Sequence, residues 1–197
     1  MAEALTCATS ELILGGQKSG KSRRAEALAS VWLAAQTGHR AILLATGEPG
    51  DEEMRQRIAR HQSDRALRVP SLQTLEVPLN LAQAIAQHSN ADTLLVVDCL
   101  TLWLTNLLMP LVPGHQAPDT THTLSATVLR ELTLAITHAR GPVVLVGNEI
   151  GLGVIPLGAQ VRAFVDALGL LNQAVAASCQ RVTLMAAGLA LTLKDAP

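Results

Sequence analysis

The chain has no tyrosine, one phenylalanine (Phe164) and two tryptophans (Trp32 and Trp103) in 197 residues. So few aromatics leave no stacking platform of the kind that holds single-stranded nucleic acid. Neither sign of charge is in excess: the formal net charge is −1, which argues against a nucleic-acid partner. Cysteine is scarce as well. Cys7, Cys99 and Cys179 are far apart and form no C-x-x-C pair. Disulfide frameworks and cysteine metal sites are therefore not expected, and a reducing, cytoplasmic compartment is. The opening MAEALTCATSE has neither a basic segment nor a long apolar one, so no secretory signal is read from it. No run is apolar enough to span a membrane. The best, Leu94 to Val112, is broken by Asp98, Thr101, Thr105, Asn106 and Pro110.

Hydrophobic residues are plentiful, at 49%. A chain of this length is most simply one domain over 1–197, with residues 1–10 as a flexible extension. Residues 15–22 read Gly-Gly-Gln-Lys-Ser-Gly-Lys-Ser and fit G-x-x-x-x-G-K-[ST]. This is the phosphate-binding loop of P-loop NTPases, and its context fits too. Leu12-Ile13-Leu14 leads in as a buried strand would, and Ser22 to Gln36 leads out with a helical pattern. Glycines let successive backbone N–H groups turn around an anion, and the helix N-terminus adds partial positive charge. Gly15, Gly16, Gln17, Lys18, Ser19 and Gly20 would cradle phosphates. Lys21 would reach the β- and γ-phosphates, and the Ser22 hydroxyl would ligate Mg²⁺. The alternative is a glycine-rich turn with no ligand.

Apolar runs alternate with helical patterns along the whole chain. Strands are expected at 12–14, 41–45, 74–77, 93–97, 143–146, 182–185 and near 189–193. Helices are expected at about 22–36, 51–63, 79–88, 100–109, 121–139 and 157–178. Runs such as Leu94-Leu95-Val96-Val97 suit strands covered on both faces. With the phosphate loop, the alternation predicts an α/β fold, a P-loop NTPase domain with a mainly parallel sheet flanked by helices. Pro110 to Asp119, with Pro113, Gly114 and Pro118, reads as an exposed loop.

Several residues carry two readings. Asp98 ends an apolar strand and either orients Mg²⁺ at the strand edge or caps the next helix. The 51–64 stretch, DEEMRQRIARHQSD, places acids first and bases later, as a helix macrodipole favours. Arg57 and His61 are four apart and share a face. That face is either a solvated surface with Glu53–Arg57 pairing, or a phosphate-binding one with His61 as a nucleophile. Asn148, Glu149, Gly151 and Gly153 follow the 143–146 strand, as turn residues or as an active-site edge. Trp103 is a core residue or a subunit contact. His39, His88, His115, His122 and His138 have no partner pattern and read as ordinary surface or core histidines.

The phosphate loop has company. GGQKSGKSRRAEALA, ATGEPGDEEMRQRIARHQSDR, VVDCLTLWLTNLL, VGNEIGLGVIP and Arg162…Phe164-Val165-Asp166…Gly169…Asn172-Gln173 occur in this order. Together they resemble the bifunctional adenosylcobinamide kinase / adenosylcobinamide-phosphate guanylyltransferase family of cobalamin biosynthesis. The resemblance implies two reactions. A nucleoside triphosphate, ATP or GTP, phosphorylates adenosylcobinamide. GTP then gives GMP to a histidine and onward to adenosylcobinamide phosphate. It implies that His61 is the guanylylated residue. It also implies nucleotide contacts at Gly15 to Ser22, at Ala45, Thr46 and Gly47, in a turn of Gln62, Ser63, Asp64 and Arg65, and at Glu76 and Asp98. A RecA-like topology of the P-loop fold and a homotrimer are implied as well. The chain departs from the family pattern at Gln17-Lys18 and at Val165, Leu170 and Leu171, away from Lys21 and His61. A single-activity P-loop kinase would need no His61, and a nucleotide-dependent switch would need no acceptor.

Overall fold

The computed structural model describes residues 5–110, 124–154 and 156–196. Its strands are β1 (Ser10–Gly15), β2 (Arg40–Ala45), β3 (Leu72–Glu76), β4 (Thr93–Asp98), β5 (Val143–Val146), β6 (Arg181–Ala186) and β7 (Leu189–Asp195). They form one sheet in the order β3-β2-β4-β5-β1-β6-β7. β1 to β6 pair in parallel, and β7 closes the sheet antiparallel to β6. The helices are α1 (Lys21–Ala35), α2 (Glu52–Arg68), α3 (Leu81–His88), α4 (Leu100–Leu108), α5 (Ala126–Thr137) and α6 (Ala159–Ser178). Insertion of β5 between the strand of the phosphate loop and the strand of Asp98 is the RecA-like arrangement.

Both faces of the sheet are covered, which explains the continuous apolar strands. Leu12, Leu95, Val97, Val143 and Leu145 point to one face and pack with residues of α3, α4, α5 and α6. Ile13, Leu94, Val96, Val144 and Val146 point to the other and pack with Ala25, Leu28 and Ala29 of α1. Trp103 is 2% exposed and donates its Nε1–H to the Leu79 carbonyl at 2.7 Å, so it is a core residue. His39 stacks on Trp32 with ring centroids 3.9 Å apart.

Three expectations change. α2 runs to Arg68 rather than ending near 63. Its last turn is held by the burial of Arg65 and Val69 and by Arg68, whose Nε donates to Glu26 at 2.6 Å. Gln62, Ser63, Asp64 and Arg65 therefore lie on a helix and not in a turn. The extension expected over residues 1–10 is shorter at its inner end. Ala8 is buried, Thr9 hydrogen-bonds Gln180 through its N–H and hydroxyl, and Ser10 begins β1. The fifth helix starts at Ala126, where Ser125 accepts a hydrogen bond from the Thr127 N–H. Most of the loop expected at 110–119, with His115 and His122, lies outside the described residues.

Candidate active site

The phosphate loop sits at the C-terminal end of β1, in the middle of the sheet, where strand ends and helix starts converge. Gly15 (φ +150°) and Gly20 (φ +105°) take backbone conformations that favour glycine, and Lys18 (φ +56°) is left-handed between them. α1 starts at Gly20 with no side-chain cap and no acid in its first turn. Its leading N–H groups therefore lack the usual side-chain acceptor. Gly16, Gln17 and Lys18 are exposed, whereas Ser19 and Lys21 are buried. The Lys21 ammonium donates to the Gly16 carbonyl at 2.6 Å. Burial lowers the Lys21 pKa below its ordinary value. Nearby Cys99 and Asp98 oppose that shift and Arg57 adds to it.

Asp98 ends β4 opposite Ala45, and Ala45 in turn stands opposite Glu76. Glu76, Ala45 and Asp98 thus form one row across the strand ends. Burial raises the Asp98 pKa, while the nearby Ser22 hydroxyl, His61 and Arg65 pull it down. Ser22 and Asp98, both expected as Mg²⁺ ligands, therefore lie near one another. Two oxygen ligands from protein, completed by substrate phosphates, are the usual protein share of a Mg²⁺ site. The donor set fits that ion.

The edge beside Asp98 is built from buried polar contacts. The Thr46 hydroxyl donates to the Cys99 carbonyl at 2.7 Å and accepts the Cys99 N–H at 2.8 Å. Asn106 donates to the Thr46 and Pro78 carbonyls at 2.7 and 3.1 Å. A Cβ on Gly47 would lie 3.3 Å from Leu102 Cδ1 and 3.8 Å from Ile58 Cδ1. That close approach seats α2 over the end of β2. Arg57, His61 and Arg65 follow at four-residue spacing, so they lie along one side of α2. Arg65 is buried, with its Nη2 3.4 Å from Thr74 Oγ1, whereas Arg57 and His61 are exposed. Gln62, Ser63 and Asp64 are exposed, and Asp64 faces Arg68 at 4.0 Å.

Beyond β5, the Glu149 N–H donates to the Gly15 carbonyl at 3.2 Å and the Asn148 N–H to Thr101 Oγ1 at 2.9 Å. The Glu149 carboxylate accepts the Gly151 N–H at 2.9 Å, so its present role is to shape its own loop. Thr101, Asn106 and Asn172, which supports the Asn148 carbonyl at 3.1 Å, were not singled out from sequence. The D-C-L-T-x-W-x-x-N-L-L block contains the first two and was the available signal.

The family described as Cobinamide kinase / cobinamide phosphate guanyltransferase matches residues 11–193. The chain belongs to this family. Its relatives include the Bifunctional adenosylcobalamin biosynthesis protein CobP of Pseudomonas aeruginosa, 46% identical over 95% of this chain and 98% of that protein. The Bifunctional adenosylcobalamin biosynthesis protein CobU of Escherichia coli K12 is 31% identical over 93% of this chain and 98% of that protein. Two archaeal structures share the fold only. The flagellar accessory protein FlaH of Methanocaldococcus jannaschii superposes with a TM-score of 0.51 at 13% identity, covering 97% of this chain and 80% of that one. Protein PH0250 of Pyrococcus horikoshii OT3 gives 0.53 at 5% identity, over 97% and 88%. The family match spans the phosphate loop, α2 and Asp98 together. No described helix is long and apolar enough to cross a membrane.

Proposed function

We propose that this member of the family phosphorylates adenosylcobinamide with ATP or GTP and then guanylylates the product, giving adenosylcobinamide-GDP. The observation that carries the reading is the family match over residues 11–193, which spans both the phosphate loop and the His61 helix.

In the first reaction the acceptor hydroxyl oxygen attacks the γ-phosphorus, the nucleoside diphosphate leaves and the hydroxyl proton is lost. The loop from Gly15 to Ser22 binds the phosphates, and Lys21 exchanges the Gly16 carbonyl for phosphate oxygens. Ser22 and Asp98 would hold Mg²⁺, whose charge would screen the phosphate oxygens. In the second reaction a neutral ring nitrogen of His61 attacks the α-phosphorus of GTP and pyrophosphate leaves. An oxygen of adenosylcobinamide phosphate then attacks the phosphorus of the histidine phosphoramidate and frees His61. Arg65, Gln62, Ser63, Asp64, Glu76 and Ala45 to Gly47 contact the nucleotide, and Asn148 and Glu149 border the acceptor. The working form is a cytoplasmic homotrimer formed by the single domain over 1–197.

Incubation with α-labelled and, separately, γ-labelled GTP tests the proposal. Acid-labile label retained on protein from the α position alone is the expected result. Retention from the γ position, or from neither, overturns the guanylyl-histidine.

A further inference from the structure

The phosphate loop is propped by a part of the chain outside every motif used so far, the β6–β7 turn. Gly188 donates its N–H to the Ser19 carbonyl at 3.0 Å. A Cβ on Gly20 would lie 3.4 Å from Gly188 Cα and 3.4 Å from Met185 Cε. A Cβ on Gly15 would collide with the Met185 carbonyl, because Gly15 and Met185 are register partners. Ala187 and Gly188 both take left-handed backbone angles, φ +52° and +81°. Two such residues in a row make the tight hairpin turn that matches strand twist. Alanine is an uncommon occupant of that region.

Peptide planarity gives this contact a consequence for the ligand. In a trans peptide the C=O and the following N–H point in opposite directions. Holding the Ser19 carbonyl against Gly188 therefore turns the Gly20 N–H the other way, away from the hairpin. A flipped Ser19–Gly20 peptide would present a carbonyl where a phosphate oxygen must bind. We infer that Gly188 is a positioning residue, which sets the orientation of the Ser19–Gly20 peptide for nucleotide phosphates. The inference rests on the nucleotide-binding reading of residues 15–22.

Two variants of the full chain test it. Gly188→Val puts a β-branched residue where φ is positive and displaces the turn. Gly188→Asn tolerates that φ and keeps the N–H. The expected Kd for GTP rises roughly 10-fold in the first and stays within about 3-fold of native in the second. If Gly188→Val does not fold, a subtler change decides. Cys179 allows the 179–197 segment to be joined by chemical ligation, with glycolic acid in place of Gly188. That ester replaces the Gly188 N–H by an oxygen that cannot donate and keeps every side chain. Against an all-amide chain ligated in the same way, its GTP Kd should rise roughly 3- to 10-fold. Its denaturation midpoint without nucleotide should fall only slightly, by the loss of that one hydrogen bond. Equal GTP affinity of the ester and all-amide chains overturns the positioning role. Failure of the all-amide chain itself to bind GTP removes the nucleotide reading, and the inference with it.

Discussion

Two of the helix starts around the site, those of α1 and α2, are built in opposite ways. α1 begins at a glycine with no side-chain cap and no acid in its first turn, and its preceding loop is pinned by β6, by the loop after β5 and by Gly188. α2 begins at Asp51, whose carboxylate accepts the Met54 N–H at 2.7 Å, with Glu52 and Glu53 in its first turn. One start lacks the cap that an anion can replace, and the other carries its own. The remainder follows the same division. The loop before α1 is held by strand ends on both sides, while most of α2 is exposed and is fastened chiefly at its ends. An in-line displacement at a γ-phosphate needs fixed dipoles. In the proposed second reaction a histidine receives and then surrenders GMP, and so needs access to two partners in turn. The rigid region suits the first task and the open helix the second.

The sharpest way to separate the regions is His61→Asn. Retention of label from α-labelled GTP should vanish, whereas phosphorylation of adenosylcobinamide should persist at about half of native or more. A GMP adduct on that variant would place the nucleophile elsewhere. Lys21→Ala attacks the rigid region instead. Kinase turnover should fall roughly 100- to 1000-fold, the usual loss when one donor to the transferring group is removed. Circular dichroism should show an unchanged fold. Near-native turnover by this variant would break the comparison.

Asp98 ties the two regions together. Asp98→Asn should reduce Mg²⁺-dependent turnover at least about 10-fold while metal-free nucleotide binding changes little. A capping role predicts no such loss, since asparagine caps as well as aspartate. The raised pKa gives a second signature. The folded protein holds this proton to higher pH than the unfolded chain, so stability without ligand should fall as pH rises above about 4. Urea midpoints across that range should flatten in Asp98→Asn. A variant with the native slope assigns the pH dependence to other groups.

Arg68→Ala tests the fastening of α2. It leaves Glu26, only 6% exposed, without its partner, and should destabilise by roughly 1–3 kcal/mol. Guanylylation should suffer more than phosphorylation, read from the two products. Equal losses would mean that α2 is not independently tethered. The smallest effect is expected at Ser19, whose buried hydroxyl has no hydrogen-bond partner among the described residues. Ser19→Ala should leave stability within about 1 kcal/mol of native or slightly raise it.

Sequence made the strands legible because both faces of the sheet are covered. Leu94-Leu95-Val96-Val97 or Val143 to Val146 could be little else. The phosphate loop was legible because its chemistry is local, with eight consecutive residues making the cradle. The extent of α2 was not. Ser63-Asp64 resembles a stop, and the interactions that carry the helix past it come from Glu26, far away in sequence. The support of Asp98 was hidden for a similar reason, since Thr46 meets Cys99 across two strands. Contacts between backbone groups, such as Gly188 with Ser19, leave almost no trace in side-chain identity.

The antiparallel course of β7 has a consequence for the segments around Thr6 and Asp195. Because β7 runs back against β6, its end lies at the sheet edge where β1 begins. Arg181 reaches both segments there: its Nη1 donates to the Thr6 carbonyl at 2.8 Å and its Nε to Asp195 at 3.0 Å. That edge is about 20 Å from the phosphate loop, the length of a six-residue strand. Thr6 and Asp195 can therefore be joined by a short linker and the chain reopened at the exposed Thr37-Gly38 turn between α1 and β2. Such a permuted protein should keep nucleotide binding. A surface linked at either segment would hold the molecule with its catalytic edge turned outward.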